Sequence, residues 1–132
     1  MERFSVATRY REEMINITRN LEELVIARGW RDGALLVFCP HTTAGLTINE
    51  AADPDVQTDM TLFMKKLVPK ASTFRHTEGN SDAHIKSSLL GPHCLVIVEE
   101  SRLCLGTWQG LYLCEWDGPR TRQVWVKFLP GS

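Results

Sequence analysis

The stretch LYLCEWDGPRTRQVWVKFL, which runs from residue 111 to residue 129, decides the fold class of this 132-residue chain. Its two flanks, Leu111–Trp116 and Gln123–Leu129, alternate or are apolar, as β-strands are. Between them Asp117–Thr121 (DGPRT) has the composition of a turn, so the pattern predicts that the two strands pair as a hairpin. The apolar run Leu95–Val98 comes shortly before them, which makes the C-terminal half mainly β.

The N-terminal half predicts strands and a helix in alternation. Strands are expected over Phe4–Tyr10, which alternates weakly, over the apolar run Ala34–Cys39, and over Leu46–Ile48. A helix is expected between Thr18, whose hydroxyl can cap it, and Gly29, which readily takes the left-handed closing conformation.

The middle of the chain predicts two further helices. One begins at Asp53, a good N-cap that is followed by a proline in the first helical position, and Pro69 closes it. A shorter helix is expected over Ala83–Leu90. The tally is about seven strands and two or three helices, with no repeat or dividing linker. It predicts one α+β domain over residues 1–132, with a mainly antiparallel sheet folded into two layers.

Composition disfavours several classes of partner. The hydrophobic fraction of 43% and the charged fraction of 23% match those of soluble globular domains. A formal net charge of -1, with both signs mixed along the chain, disfavours nucleic acid, because polyanion binding usually needs a basic face. No apolar run reaches membrane-spanning length and the N-terminal residues are polar, so we expect a cytoplasmic protein with no membrane partner.

The four cysteines are expected to be free and buried. They are Cys39, Cys94, Cys104 and Cys114, and each lies in or beside an apolar run, outside any CxxC pair. Free cysteine behaves as a small buried hydrophobe, and thiols stay reduced in the cytosol. Zinc or disulfide roles are the alternatives.

Three of the four histidines lie in polar loops that can build a metal site. His41 follows a predicted strand, and His76 and His84 bracket a loop that also holds Glu78 and Asp82. Neutral imidazole is the commonest nitrogen ligand of zinc, and three protein ligands leave a position for water or substrate. The three histidines are therefore predicted to hold a divalent metal, either zinc or magnesium/manganese. The two carboxylates are candidate catalytic groups that orient ligands or carry protons.

Each of these residues also has a plain structural alternative. A single histidine in a loop is more often a surface or capping group than a ligand, and Asp82 can simply cap the helix that follows it. His93 has no polar company and is expected to be structural. The spacing of the three histidines is less specific than a metal-binding motif such as HExxH or paired CxxC. The prediction of a metal site therefore depends on the density of polar groups in these loops.

A second set of residues suits the anionic and flat parts of a small phosphorylated substrate. Hydroxyl, lysine and arginine groups can bind phosphate oxygens, and a tryptophan between two glycines can stack on a flat ring. The candidate substrate-binding residues are Thr42, Thr43, Asn49, Lys86, Trp108, Gln109 and Arg120. Gly45 is expected to let backbone amides approach the ligand. Individually, the charges can also be solvated surface groups and Trp108 can belong to a core or an interface.

Three segments together resemble the signature blocks of the YjbQ family, also called secondary thiamine-phosphate synthase. They are Pro40–Glu50 (PHTTAGLTINE), His76–Gly91 (HTEGNSDAHIKSSLLG) and Gly106–Arg122 (GTWQGLYLCEWDGPRTR). The resemblance covers essentially the whole chain and implies a two-sheet α+β fold of seven strands that associates as a homotrimer. It also implies metal binding through the matching histidines, His41, His76 and His84.

The activity that the resemblance implies joins hydroxymethylpyrimidine diphosphate to a thiazole phosphate and releases pyrophosphate. This synthase activity is generally regarded as secondary, so the physiological substrate is left open. Two other functions also stay open at this point. One is metal-dependent hydrolysis of a phosphorylated or carbonyl small molecule, and the other is metal or small-ligand binding without catalysis.

Overall fold

The computed structural model describes residues 1–131, which form eight strands and three helices. The strands are β1 (Glu2–Ala7), β2 (Glu13–Asn16), β3 (Gly33–Phe38), β4 (Ala44–Glu50), β5 (His93–Glu99), β6 (Arg102–Leu103), β7 (Gln109–Glu115) and β8 (Thr121–Pro130). The helices are α1 (Thr18–Arg28), α2 (Pro54–Leu67) and α3 (Ser81–Leu90).

The strands form two antiparallel sheets, which confirms the predicted two-layer α+β domain. One sheet has the order β1-β8-β3-β5-β6 and the other has the order β2-β7-β4. Alternate residues of the central strands point between the sheets and build the main core, as Leu35 and Val37 of β3 do against Leu111 and Leu113 of β7. A smaller cluster around Trp116 packs on the other face of the three-stranded sheet, beneath α3.

The predicted hairpin between the last two long strands is wrong. β7 pairs with β2 and β4, whereas β8 pairs with β1 and β3, so the turn between them carries the chain from one sheet to the other. The turn is tied to the N-terminal segment instead, because Thr8 N–H donates to Arg120 O and Gly118 N–H donates to Arg11 O. Local alternation identified both strands correctly but could not identify their partners.

The helix boundaries follow the predicted signals closely, although one cap differs. Gly29 closes α1 in the left-handed conformation, and the Asp53 side chain accepts the hydrogen bond of Asp55 N–H at the start of α2. Thr18 does not cap α1, since its hydroxyl accepts from Leu111 N–H and links the helix to β7. No helix within residues 1–131 is long and apolar enough to cross a membrane.

The cysteines are free thiols, as predicted, but they are not all buried. Cys39 and Cys114 are buried, Cys94 is half-buried and Cys104 is exposed. The prediction of burial is therefore wrong for Cys104, whose backbone N–H continues the β5–β6 pairing at Ile97 while its side chain faces solvent.

The end of α3 lies directly against the start of β4, and this contact positions the candidate site. A side chain at Gly45 would bring its Cβ to 2.8 Å from the carbonyl oxygen of Gly91, which is closer than real Cβ atoms approach. The same carbonyl accepts the Leu46 N–H at 3.0 Å. Gly45 therefore permits helix-to-strand packing, and its predicted role of exposing amides to a ligand does not match this buried position.

Candidate functional site

A cavity of about 260 Å³ lies between α3 and the loop that joins β3 to β4. Its lining residues are His41, Thr42, Ala44, His84, Ser87, Ser88 and Pro92. His84, Ser87 and Ser88 share one face of α3 because they are three and four residues apart on the helix. The structure thus brings two of the predicted metal ligands together with one predicted substrate-binding residue.

The third predicted ligand, His76, does not line the cavity, but its ring contacts the ring of His84, which does. The two imidazole rings meet edge to face, with centroids 5.4 Å apart and planes at 90°. Glu78 lies on the same loop, and its Oε2 is 3.9 Å from His76 Nε2. This carboxylate is largely exposed, and its Oε2 accepts a hydrogen bond from Asn80 Nδ2 at 3.5 Å.

The three histidines do not form a closed ligand set. Within residues 1–131, no group of three or more His, Cys, Asp or Glu side chains is arranged to hold a metal ion. His41 fits such a set least well, because its Nε2 accepts a 2.9 Å hydrogen bond from the backbone N–H of Gln123. His76 and His84 fit better, since each ring is partly accessible and the two are in contact.

The surroundings of His41 favour its neutral form. Burial lowers the pKa of His41, and the nearby positive charge of Arg122 lowers it further, although Glu115 opposes this in part. Arg120 also contributes to the lower pKa of His41, which places this predicted substrate-binding residue at the same end of the molecule. The Arg120 guanidinium is half-exposed and donates to the side chain and backbone of Asp117.

A buried ion pair supports the loop that carries His41. The Arg122 guanidinium donates to both carboxylate oxygens of Glu115, and its Nη2 also donates to Thr43 Oγ1 at 2.8 Å and to Thr43 O at 3.1 Å. Thr8 adds a hydroxyl hydrogen bond to Glu115 at 2.8 Å. Thr43 is therefore committed to this network, whereas the neighbouring Thr42 lines the cavity.

Asp82 and Lys86 lie on the buried face of α3 and bind each other rather than facing the cavity. Lys86 Nζ donates to Asp82 at 3.0 Å and to Glu12 at 2.8 Å, and Arg11 donates to both oxygens of Asp82. Lys86 also lies over the Trp116 ring, 5.7 Å from its centroid. Burial raises the pKa of Asp82, but the hydrogen bonds from Arg11 and Lys86 outweigh it and hold the pKa below its ordinary value.

The remaining predicted substrate-binding residues lie at the opposite end of β4. Ala44 begins this strand near the cavity, and Asn49 and Glu50 end it, about 20 Å away at the usual rise per residue. Gln109 pairs with Glu50, and Trp108, which is 64% exposed, accepts a hydrogen bond from Ala51 N–H. The structure therefore does not bring Asn49, Trp108 and Gln109 into the cavity of the same chain.

Several residues of the site carried no usable signal in the sequence. Arg11 lies 71 positions from its partner Asp82, and no pattern in the sequence indicates that Glu115 pairs with Arg122, seven residues later. Ser87 and Ser88 were missed although the signal was present. A helix that carries His84 must carry the residues three and four positions later on the same face.

Comparison with known proteins gives the family of the chain. The model for the YjbQ family, described as "UPF0047 protein YjbQ-like", matches residues 2–131. The chain belongs to this family. UPF0047 protein YugU of Bacillus subtilis is 50% identical over 130 residues, which cover 98% of each chain. A UPF0047 protein of Methanocaldococcus jannaschii is 45% identical over 127 residues, which cover 96% of this chain and 92% of that protein.

Solved structures of YjbQ-like proteins share the fold. A conserved YjbQ/UPF0047 family protein from Clostridium acetobutylicum superposes with a TM-score of 0.95 at 48% identity, covering 98% of this chain and 100% of that one. The conserved hypothetical protein TT1486 from Thermus thermophilus gives a TM-score of 0.91 at 45% identity, with the same coverage. These names give the family and the fold, and none of them states a substrate, a metal or an activity.

Proposed function

We propose that this YjbQ-like chain is a transferase for a small phosphorylated substrate, with an activity like that of secondary thiamine-phosphate synthase. The observation that supports this proposal is the cavity between the β3–β4 loop and α3, where two imidazoles meet the hydroxyl-bearing residues Thr42 and Ser88. Imidazole N–H and hydroxyl groups donate hydrogen bonds to phosphate oxygens. The combination is typical of a small polar site for an anionic group.

The charges around this cavity also favour a phosphorylated substrate. After burial, the positive charge of Arg122 is the next largest cause of the lowered pKa of His41, and Arg120 adds to it although Glu115 opposes both. In the coupling reaction, negative charge builds on the departing pyrophosphate as its bond to the pyrimidine-bearing carbon breaks. Fixed positive charge and hydrogen-bond donors that are already in place stabilise such charge without reorganisation.

A divalent metal, either zinc or magnesium/manganese, belongs to the proposal through His76 and His84. These two residues would contribute the protein nitrogens, with further ligands from outside the pair, since residues 1–131 supply no third side chain in place. When bound, such a cation neutralises charge on a leaving diphosphate. Glu78 is the predicted catalytic carboxylate with access to this position, because Asp82 is fully buried.

One assay tests the proposal against its alternatives. The protein is incubated with hydroxymethylpyrimidine diphosphate and thiazole phosphate, with and without zinc, magnesium or manganese, and the products are separated. Thiamine phosphate and pyrophosphate in equal amounts are expected. Free phosphate without coupling would indicate the hydrolase instead, and binding of either precursor without turnover would indicate a ligand-binding protein.

Two histidine variants make the assay specific for the cavity. His84→Ala removes a ring from the cavity wall and is expected to lower product formation at least tenfold. His93→Ala is the matched control, because His93 is exposed at the start of β5 and does not line the cavity. Equal loss in both variants would contradict the assignment of the site.

A further inference from the structure

We infer that His41 is a hydrogen-bond donor of fixed tautomer and not a metal ligand, and that its Nδ1–H binds an oxyanion of the phosphorylated substrate. This inference rests on the proposed function, because it assigns a role within the same cavity. The sequence suggested that His41 is a metal ligand because this residue lies in a polar loop. The hydrogen bond between Gln123 and the ring decides between the two roles.

The tautomer follows from the hydrogen bond to Nε2. Gln123 N–H donates to this nitrogen at 2.9 Å, so the Nε2 lone pair is occupied and cannot bind a metal. A neutral imidazole has one donor and one acceptor nitrogen, so the proton lies on Nδ1. A nitrogen that carries a proton has no lone pair in the ring plane for a metal. Neither nitrogen of His41 is therefore a ligand in this arrangement.

The fold explains why the ring is held in this orientation. The β3–β8 pairing ends at Phe38 and Trp125, and the chain then leaves the sheet through Pro40. The backbone N–H of Gln123 in β8 thus lies beyond the last paired residue of β3. This N–H has no carbonyl partner on β3, and the imidazole of His41 accepts its hydrogen bond instead.

The second nitrogen of the ring is left for a ligand. Among the hydrogen bonds of residues 1–131, none uses Nδ1 of His41, although the ring lines the cavity. Thr42 and Ser88 also line the cavity, and the positive charge of Arg122 reaches the ring although Glu115 opposes it in part. If the ring were protonated, its Nε2–H would face the N–H of Gln123, and two donors would meet without an acceptor. Burial also lowers the pKa of His41, which agrees with a neutral ring. The ligand that this combination suits is a phosphate or diphosphate oxygen.

Nitrogen-15 NMR of the full chain tests the tautomer directly. Long-range proton–nitrogen spectra at pH 7.5 are expected to show a pyrrole-type Nδ1 and a pyridine-type Nε2 for His41. Inorganic pyrophosphate should shift the Nδ1 signal, and zinc should leave both signals of His41 in place. A pyridine-type Nδ1, or a metal-induced shift of either nitrogen of this ring, would overturn the inference.

Two amide substitutions separate the two nitrogens. In His41→Gln the amide takes the place of Nε2, which keeps an acceptor for Gln123 but removes the Nδ1 donor. We expect the affinity for pyrophosphate to fall about tenfold, as for a lost hydrogen bond to a charged group. In His41→Asn the amide takes the place of Nδ1, and the affinity should stay within about threefold of the wild type. His93→Gln is the control on an exposed ring.

The zinc affinity of these variants completes the test. Both should bind zinc as the wild type does, and a tenfold loss in His41→Gln would restore His41 as a ligand. Wild-type pyrophosphate affinity in His41→Gln would equally overturn the inference. A failure of the proposed synthase activity can be distinguished from a failure of this inference, because neither the tautomer of His41 nor pyrophosphate binding depends on the formation of thiamine phosphate.

Discussion

The guanidinium of Arg11 and the carboxylate of Asp82 meet in two parallel hydrogen bonds of 3.0 Å each. Lys86 donates to the same carboxylate, and both cations also contact Glu12, at 3.1 Å and 2.8 Å. Two positive and two negative side chains thus join the segment before β2 to the buried face of α3. Because α3 carries His84 on its other face, this cluster fixes the helix that forms one wall of the cavity.

The first prediction is that Asp82 contributes to stability. Asp82→Asn removes one of the two carboxylates that Arg11 and Lys86 share and leaves only that of Glu12, and removing a charged partner from a buried cluster is destabilising. Since Arg11 is one-third exposed, solvent screens part of this loss, and we expect about 2 kcal/mol in the free energy of unfolding at pH 7. Urea denaturation measures it. Glu78→Gln, on an exposed carboxylate, should leave the stability unchanged.

The same variant should change the response to acid. The pKa of Asp82 is lower in the folded chain than its ordinary value of about 3.9, so its contribution is fully present above that pH. It is lost as the pH falls through the lower folded value, since both states then bind the proton. The stability difference between wild type and Asp82→Asn should therefore shrink below about pH 4. A difference that stays constant down to pH 2 would contradict this interpretation.

Most elements of the fold could be predicted from the sequence because their signals are local, although no strand was expected over β2. A glycine that closes α1 and an aspartate that caps α2 act within a few residues of themselves. The pairing of β7 and β8 is not local. Both strands pair with strands from the first 50 residues of the chain, and no pattern within Leu111–Leu129 indicates which strand pairs with which. The hairpin prediction failed at that step.

The site divides in the same way. Polar density identified the loop at His41 and the loop at His76, and the structure brings these two loops to one cavity. The sequence could not show that the Lys86 side chain points away from the cavity, because one of the carboxylates that bind it belongs to Glu12, 74 residues earlier. The sequence also could not show that Asn49 and Trp108 lie at the other end of β4 from the cavity. The order of the motifs along the chain does not tell which end of a strand a residue occupies.

The second prediction concerns the cysteines. Under native conditions an alkylating reagent should modify Cys104 rapidly, because it is exposed, and the other three slowly. Burial raises the pKa of Cys94 to about 11 and also raises that of Cys39, which suppresses the reactive thiolate. After denaturation without a reductant, mass spectrometry should show four modified thiols. Fewer than four would indicate a disulfide and contradict the prediction.

The third prediction concerns the metal. His76→Ala and His84→Ala should each weaken zinc binding at least tenfold in calorimetric titrations, because each removes a proposed ligand from a pair of rings in contact. His93→Ala should bind zinc as the wild type does. Wild-type affinity in both ligand variants would refute the metal part of the proposal.

The last prediction concerns the outer face of the five-stranded sheet. Leu95 and Ile97 of β5 are 60% and 59% exposed there, and Phe38 and Leu129 extend the apolar surface across β3 and β8. Helices α2 and α3 contact the three-stranded sheet and α1 contacts β6 and β7, while these side chains of β3, β5 and β8 stay exposed. Contiguous exposed apolar surface is typical of an interface. We propose that it is buried in the homotrimer that the family resemblance implies.

Light scattering on a single variant and its control decides whether this face holds a trimer together. The wild type should show three times the 15.0 kDa chain mass at micromolar concentration. Leu95→Glu should dissociate it, because three carboxylates would lose their water on assembly without a partner charge. Ile26→Glu replaces a residue that is 71% exposed on α1, away from this sheet face, and should leave the mass unchanged. A stable wild-type monomer would refute the trimer, and an undissociated Leu95→Glu trimer would place its interface elsewhere.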